Sequence, residues 1–383
     1  MRLSMSLLNK HQGALERLAE RGRSRSLLKA HGCDFSSNDY LALTTAPELR
    51  LAAENALARG VSLGAGGSRL LRGNDPEHEA LELEAANLFN TERSLFFGGG
   101  YNANMALFST LPQQGDLVLH DSLIHASAHD GMKLGAAQSM AFKHNQVEDA
   151  QVRIAQWRQQ GETGRIWIAC ESLYSMDGDQ APIRDLIELA DTHDAFLLVD
   201  EAHATGVLGE GGKGLAAEFE GRENVISLHT CGKALGASGA LVCGPAVLID
   251  YLINRARGFI YATAPSPLVA AIVRASLKLV QDQPERRDQL ADLVKHANAE
   301  MNRLCGQKGS GTHILPFLIG DDKRTMLIAK ALQERGYDIR GIRPPTVPRG
   351  TSRLRIALTL HASKSDVSNM FEVLAEEVGL VRS

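Results

Sequence analysis

The chain has 383 residues, 44% hydrophobic and 22% charged, with a formal net charge of -4. That length exceeds what one hydrophobic core ordinarily organises, so two domains, or one large domain with a smaller appendage, are expected. The near-neutral balance excludes a global basic face for nucleic acid or anionic membrane, so an anionic substrate has to be caught locally.

The opening Met1 to Lys10 is too short in its apolar stretch, and too soon charged, for a secretory signal or membrane span. A cytoplasmic protein is expected. Cys33, Cys170, Cys231, Cys243 and Cys305 show no metal-ligand spacing and read as reduced structural thiols, with no metal site. Helical spacing runs from Leu7 to Lys29, where Arg17, Arg21, Arg23, Arg25 and Lys29 form mostly a solvated face. Asp34 to Leu41 reads as a short extended segment entering a loop, and residues 1–45 as an N-terminal arm. Ala46 to Arg59 reads as a helix closed by Gly60.

The glycine-rich stretch Gly64 to Arg69 lacks the strand-before, helix-after context of a dinucleotide fingerprint. His78 to Asn90 is helical in pattern. Ser94 to Phe97, then Gly98-Gly99-Gly100-Tyr101 and a helical run, spell strand, glycine turn and helix N-terminus, a ready anion site. Apolar cores at Leu117–Leu119, Ile166–Cys170, Phe196–Val199, Val225–Leu228 and Ala240–Cys243 alternate with helical patterns. This predicts an α/β domain over 46–282, a mostly parallel sheet covered by helices on both faces. Pro267 to Asp282 and Glu285 to Leu304 are helical. Residues 283–383, with strands at Ile314–Ile319 and Ser352–Leu358 and a last helix near Ser365–Val378, read as a smaller α+β domain.

The chemistry concentrates in two places. Lys233 lies among small residues, Cys231-Gly232-Lys233-Ala234-Leu235-Gly236, available for carbonyl chemistry. About thirty residues upstream, the apolar run ending at Val199 delivers Asp200-Glu201-Ala202-His203 at a strand's C-terminal edge. Lysine, aspartate and histidine so arranged suggest pyridoxal phosphate, whose lysine Schiff base needs a carboxylate beside the ring nitrogen. Crowding by apolar backbone disfavours the Lys233 ammonium and makes its amine nucleophilic near neutral pH. The tetrapeptide Asp200-Glu-Ala-His203 is also an acidic motif of nucleic-acid-dependent ATPases. No Gly-x-x-x-x-Gly-Lys-Ser/Thr loop precedes it, and Gly209 to Gly214 lies downstream without the magnesium-binding hydroxyl.

Together the motifs resemble the α-oxoamine synthases, fold-type I pyridoxal-phosphate enzymes that condense an amino acid with an acyl thioester and release carbon dioxide. The resemblance spans nearly the whole chain. It rests on Phe35-Ser-Ser-Asn-Asp-Tyr-Leu41, Gly66-Gly-Ser-Arg69 with Gly73-Asn74 and His78, and His120-Asp-Ser-Leu-Ile-His-Ala-Ser127. Glu171-Ser-Leu-Tyr-Ser-Met-Asp-Gly178, Asp200-Glu-Ala-His203 and Thr230-Cys-Gly-Lys233 complete it. The tail Ile342 to Arg355 is most similar to the biotin-pathway branch, which uses L-alanine and a pimeloyl thioester on coenzyme A or acyl carrier protein. Glycine C-acetyltransferase, aminolevulinate synthase and serine palmitoyltransferase types share the chemistry, and an aminotransferase or aldolase is the alternative class.

The resemblance implies pyridoxal 5'-phosphate on Lys233, which also acts as base, with Asp200 at the ring nitrogen and His125 stacked on the ring. From its surroundings alone His125 reads as a core histidine. His203 and Ser175 would meet the phenolic oxygen. Thr230, Gly100 and Tyr101 would hold the phosphate, with Ser68 and Thr263 reaching it from the neighbouring subunit of a homodimer. Where many relatives have serine, this chain has Gly99, which removes one hydroxyl from that cradle. Substrate contacts fall to Arg355, which takes the amino-acid carboxylate ahead of Arg343 and Arg353, and to Asn38, Thr346 and Arg25.

Overall fold

The computed structural model describes residues 7–379. The expectations for Met1 to Ser6 and Leu380 to Ser383 lie outside the described residues. The chain runs through α1 (Asn9–Glu20), β1 (Cys33–Asp34), α2 (Pro47–Ala58), α3 (Pro76–Leu88), β2 (Arg93–Phe97), α4 (Gly100–Thr110), β3 (Leu117–Asp121) and α5 (Ala126–Leu134). Next come β4 (Gln138–Phe142), α6 (Val147–Gln159), β5 (Ile166–Glu171), α7 (Ile183–Thr192), β6 (Phe196–Asp200), β7 (Val225–Thr230) and β8 (Ala240–Gly244). Four helices follow: α8 (Ala246–Arg255), α9 (Arg257–Ile260), α10 (Pro267–Asp282) and α11 (Glu285–Cys305). The remainder holds β9 (Ile314–Gly320), α12 (Asp322–Glu334), β10 (Tyr337–Asp338), β11 (Arg340–Ile342), β12 (Ser352–Ala357) and α13 (Lys364–Glu377).

Seven strands form the main sheet in the order β2-β8-β7-β6-β5-β3-β4. Every pairing is parallel except those of β8, which runs against both β2 and β7. The expected mostly parallel α/β architecture is therefore present. Because successive strand side chains point to opposite faces, each strand feeds two cores. Val118, Trp167, Leu198 and Ile226 join α4, α5 and α8 on one face. Leu117, Ile168, Val199 and Val225 join α6 and α7 on the other.

A third core gathers Phe35, Tyr40, Leu41 and Leu43 with α10, α11, α13 and the antiparallel sheet β11-β12-β9. Residues 33–45 of the expected arm thus run into the C-terminal part of the chain. β1 pairs with β10, Ala357 N–H donates to Phe35 O at 2.9 Å, and Leu360 N–H donates to Tyr40 O at 3.1 Å.

Two local differences from the sequence reading have physical causes. The helix expected over Leu7 to Lys29 ends at Glu20, because Gly22 takes a left-handed φ of 60° and no described residue of α1 is buried to hold it further. β4 was absent from the expected strands; its mostly exposed Gln-Ser-Met-Ala-Phe sequence carries no continuous apolar run, as an edge strand needs none. Among the described residues no helix is long and apolar enough to cross a membrane.

Candidate active site

The C-terminal edge of the main sheet opens into a cavity of about 170 Å³. Each side chain arrives there from a strand end, the position at which open α/β sheets bind ligands. β2 hands over to the Gly98–Gly100 turn and α4, β3 to the His125 loop, β5 ends at Glu171, β6 at Asp200, and β7 at Thr230. The antiparallel return through β8 confines Lys233 to a short loop closed by Cys231 N–H to Gly239 O and Ala237 N–H to Cys231 O, both 2.9 Å.

Lys233 Nζ lies 2.7 Å from His203 Nε2. Burial lowers the Lys233 pKa to about 8, against the pull of Asp200 and Glu171. A usable fraction of free amine therefore exists at neutral pH. Asp200 is fixed by two donors: Asn104 Nδ2 reaches Oδ2 at 2.7 Å and Ala202 N–H reaches Oδ1 at 3.0 Å. Asn104 also contacts Ser127 Oγ at 3.0 Å, and Ser127 lies 2.7 Å from His125 Nδ1. His125 caps α5, its ring partly open to the cavity; burial, then Lys233 and His129, lower its pKa against the pull of Asp200.

The turn expected to hold an anion falls at the N-terminus of α4. A Cβ built on Gly98 or Gly99 would meet nothing within 4 Å, and one on Gly100 would come 3.3 Å from Thr230 Oγ1. Glycine at 100 thus lets the threonine hydroxyl approach the first helical amides. Tyr101 is exposed and turns its hydroxyl to Asp130. Its ring stands edge-on to His125 at 6.5 Å.

Glu171, to which the sequence reading gave no role, lines the same cavity as the register partner of Asp200. Its buried Oε1 has no hydrogen-bond partner, and burial followed by Asp200 raises its pKa to about 8. The sequence signal for Glu171 is its place directly after the apolar run Ile166–Cys170; the pairing itself comes from the strand order. Glu201, the second acid of Asp-Glu-Ala-His, faces away. It accepts from Ser172 Oγ at 2.5 Å and from the amides of Leu215 at 3.1 Å and Ala216 at 2.6 Å, stapling the glycine loop.

The remaining expected residues fall in three places. Arg355 is buried on β12, its Nε donating to Ser175 O at 2.6 Å and Nη2 to Asn38 Oδ1 at 3.0 Å. Neither partner is charged. Arg353 is instead paired with Asp177, and Arg343 is half-buried beside Gly22. Ser175 reaches Arg355 through its carbonyl. Ser68 is half-buried and Thr263 exposed, both outside the lining of the Lys233 cavity, on segments joined where Ser68 Oγ donates to Ile260 O at 2.8 Å and Gly67 O accepts from Ala264 N–H at 2.9 Å. Thr346 is exposed in the turn between β11 and β12, and Arg25 is exposed on the segment after α1.

A clamp outside the cavity orders the 172–180 loop. His144 Nδ1 lies 2.9 Å from Asp121 Oδ1 and Nε2 lies 2.7 Å from Asp179 Oδ2. Although burial opposes its charge, those two carboxylates hold the His144 pKa up to about 10.

This donor set fits pyridoxal phosphate: a buried amine of lowered pKa, a fixed carboxylate, a partly open imidazole, and a helix N-terminus with a hydroxyl beside it. Together with the sheet it defines a fold-type I transferase. The chain belongs to the aminotransferase class I and II family, which it matches over residues 30–374.

Within that family it is 42% identical over 345 residues to the 8-amino-7-oxononanoate synthase of Anaeromyxobacter dehalogenans, covering 89% of this chain and 85% of the relative. Among solved structures, serine palmitoyltransferase (SPT) with PLP superposes with a TM-score of 0.88 at 25% identity, covering 98% of this chain and all of the other. The 8-amino-7-oxononanoate synthase of Francisella tularensis gives 0.76 at 28% identity, covering 91% of this chain and 98% of the other.

Proposed function

We propose that the protein condenses L-alanine with a pimeloyl thioester to give 8-amino-7-oxononanoate, carbon dioxide and the free thiol carrier, a step of biotin biosynthesis that uses pyridoxal 5'-phosphate. The observation that carries this reading is Arg355, a buried guanidinium with only neutral partners, hydrogen-bonded through Asn38, Tyr40 and His203 to Lys233. A buried cation left unmatched calls for an anion from the ligand. An amino-acid carboxylate is that anion.

Bound here, the cofactor supplies an electron sink beside the amino acid's α-carbon. Thr230 and the first amides of α4 would hold its phosphate, Asp200 its ring nitrogen and His125 its ring face, with His203 and Ser175 near its phenolic oxygen. In a homodimer, Ser68 and Thr263 of each subunit would add to the other's phosphate site. Lys233 takes the α-proton as a neutral amine and holds it at Nζ until it is returned. Arg355 keeps the carboxylate aligned while the α-carbon bonds to the acyl carbon and the carbon–sulfur bond breaks. The carboxylate then leaves as carbon dioxide. Thr346 and Arg25 would contact the acyl substrate.

Backbone shape ranks serine palmitoyltransferase higher, whereas sequence identity ranks 8-amino-7-oxononanoate synthase higher. Identity decides here, because the sibling enzymes share one scaffold and differ in the side chains that select substrates. The test is a matrix of glycine, L-alanine and L-serine against acetyl, succinyl, pimeloyl and palmitoyl thioesters, on coenzyme A and on acyl carrier protein, scored by thiol release and product mass. Alanine with a pimeloyl thioester should lead by roughly tenfold or more. A lead by serine with palmitoyl, or by glycine with acetyl or succinyl, would overturn the substrate assignment, and the carrier comparison names the acyl donor.

A further inference from the structure

Four hydrogen bonds in series join the two ends of the site. Arg355 Nη2 and Tyr40 Oη each lie 3.0 Å from Asn38 Oδ1. Tyr40 Oη lies 2.6 Å from His203 Nδ1, and His203 Nε2 lies 2.7 Å from Lys233 Nζ.

The direction of every bond follows from what each group can donate. A guanidinium only donates, so the oxygen of the Asn38 amide, not its nitrogen, faces Arg355. That oxygen has no hydrogen, and Tyr40 spends its single hydroxyl hydrogen on it. Toward His203 the phenol oxygen can then only accept, so the imidazole hydrogen sits on Nδ1. Nε2 is left bare and accepts from Lys233.

The surroundings keep this order in place. Tyr40 is fully buried, which pushes its pKa up to about 12 and keeps the hydroxyl protonated. Burial, then the charges of Lys233 and Arg355, hold His203 well below the usual imidazole range. The neutral ring therefore serves as a hydrogen-bond acceptor rather than a base. His313, itself held neutral by burial, packs its ring 4.1 Å from that of Tyr40.

We infer that Tyr40 and Asn38 are positioning residues that fix the His203 tautomer, so that the ring presents a lone pair to Lys233 and leaves the lysine's own lone pair free for carbonyl attack. The inference deepens the proposed function and rests on its reading of Lys233. Without the Tyr40 hydroxyl, the imidazole hydrogen can move to Nε2, where it points at the lysine nitrogen and occupies the electrons needed for bond formation. The sequence reading gave Tyr40 no role and assigned Asn38 to substrate.

The test uses the cofactor-free protein labelled with 15N-histidine. In the wild type, His203 should show the Nδ1–H tautomer. Tyr40→Phe, which keeps the ring packed on His313, should shift it toward Nε2–H, and Asn38→Ala should do the same with the phenol intact. On adding pyridoxal phosphate, both variants should develop the visible cofactor band about tenfold more slowly than wild type. An Nε2–H wild-type ring, a tautomer unchanged in both variants, or a changed tautomer with an unchanged loading rate would each overturn the inference. Failure of the Lys233 reading shows separately, as a borohydride-fixed pyridoxyl tag on another residue.

Discussion

His203 and His144 are each held at both ring nitrogens, yet one is kept neutral and the other charged. His203 faces a phenol and an ammonium, and burial strips its proton. His144 faces two carboxylates, which outweigh the same desolvation and keep it protonated. In the clamp the charged ring has a carboxylate at each nitrogen, and Asp179 Oδ1 is left without a partner beside it. In the cavity a buried cation is unmatched: Arg355 lacks a carboxylate, Glu171 has an unpartnered oxygen, and Lys233 sits below its ordinary pKa. A buried cation without a counter-charge costs stability, so the cavity that holds Arg355 is poised for an anionic ligand, whereas the clamp already has its carboxylates.

The sharpest way to break the comparison is Lys233→Ala. Turnover should fall by about 10⁴-fold, while the melting temperature holds or rises because a buried, desolvated ammonium is gone. Substantial residual turnover would remove Lys233 as the base. Arg355→Lys comes next. It keeps the charge but loses the planar fork, and KM for the amino acid should rise about 100-fold with a smaller change in kcat. An unmoved KM would place the carboxylate elsewhere.

The smallest expected effect belongs to the clamp. In His144→Gln, unfolding stability should drop by about 2 kcal/mol near pH 6, read by denaturant titration. The folded pKa of about 10 lies above the ordinary imidazole value of 6.5, so the contribution is fully present below 6.5 and is lost as pH rises through 10. At higher pH the variant and wild type should converge. A difference independent of pH would mean that packing against Tyr174, rather than charge, holds the loop.

The strands that build the site were legible because burial on both faces makes them continuous apolar runs, as in Phe196–Asp200 and Val225–Thr230. Edge strand β4 and the short β10 and β11 carry no such signal. Lys233, Asp200, His203, Gly100 and Tyr101 stand out in sequence by residue type next to a strand end or glycine turn, whereas His125 and Thr230 are legible only through the family resemblance; all seven line one cavity. Asn104, Ser127 and Glu171 line it too and were not assigned, since a polar residue inside a helix or at a strand end says nothing by itself about which carboxylate it faces. Tyr40 was hidden for a similar reason: its partner His203 is 163 positions away.

Glu201 carries a lesson for genome screening. The tetrapeptide it belongs to is shared with ATP-driven motors, yet here its carboxylate gathers two loop amides and a serine and touches no nucleotide site. Searches keyed to those four letters will collect proteins of both kinds. A lysine about thirty positions downstream, in place of a phosphate loop upstream, is the inexpensive filter that separates them.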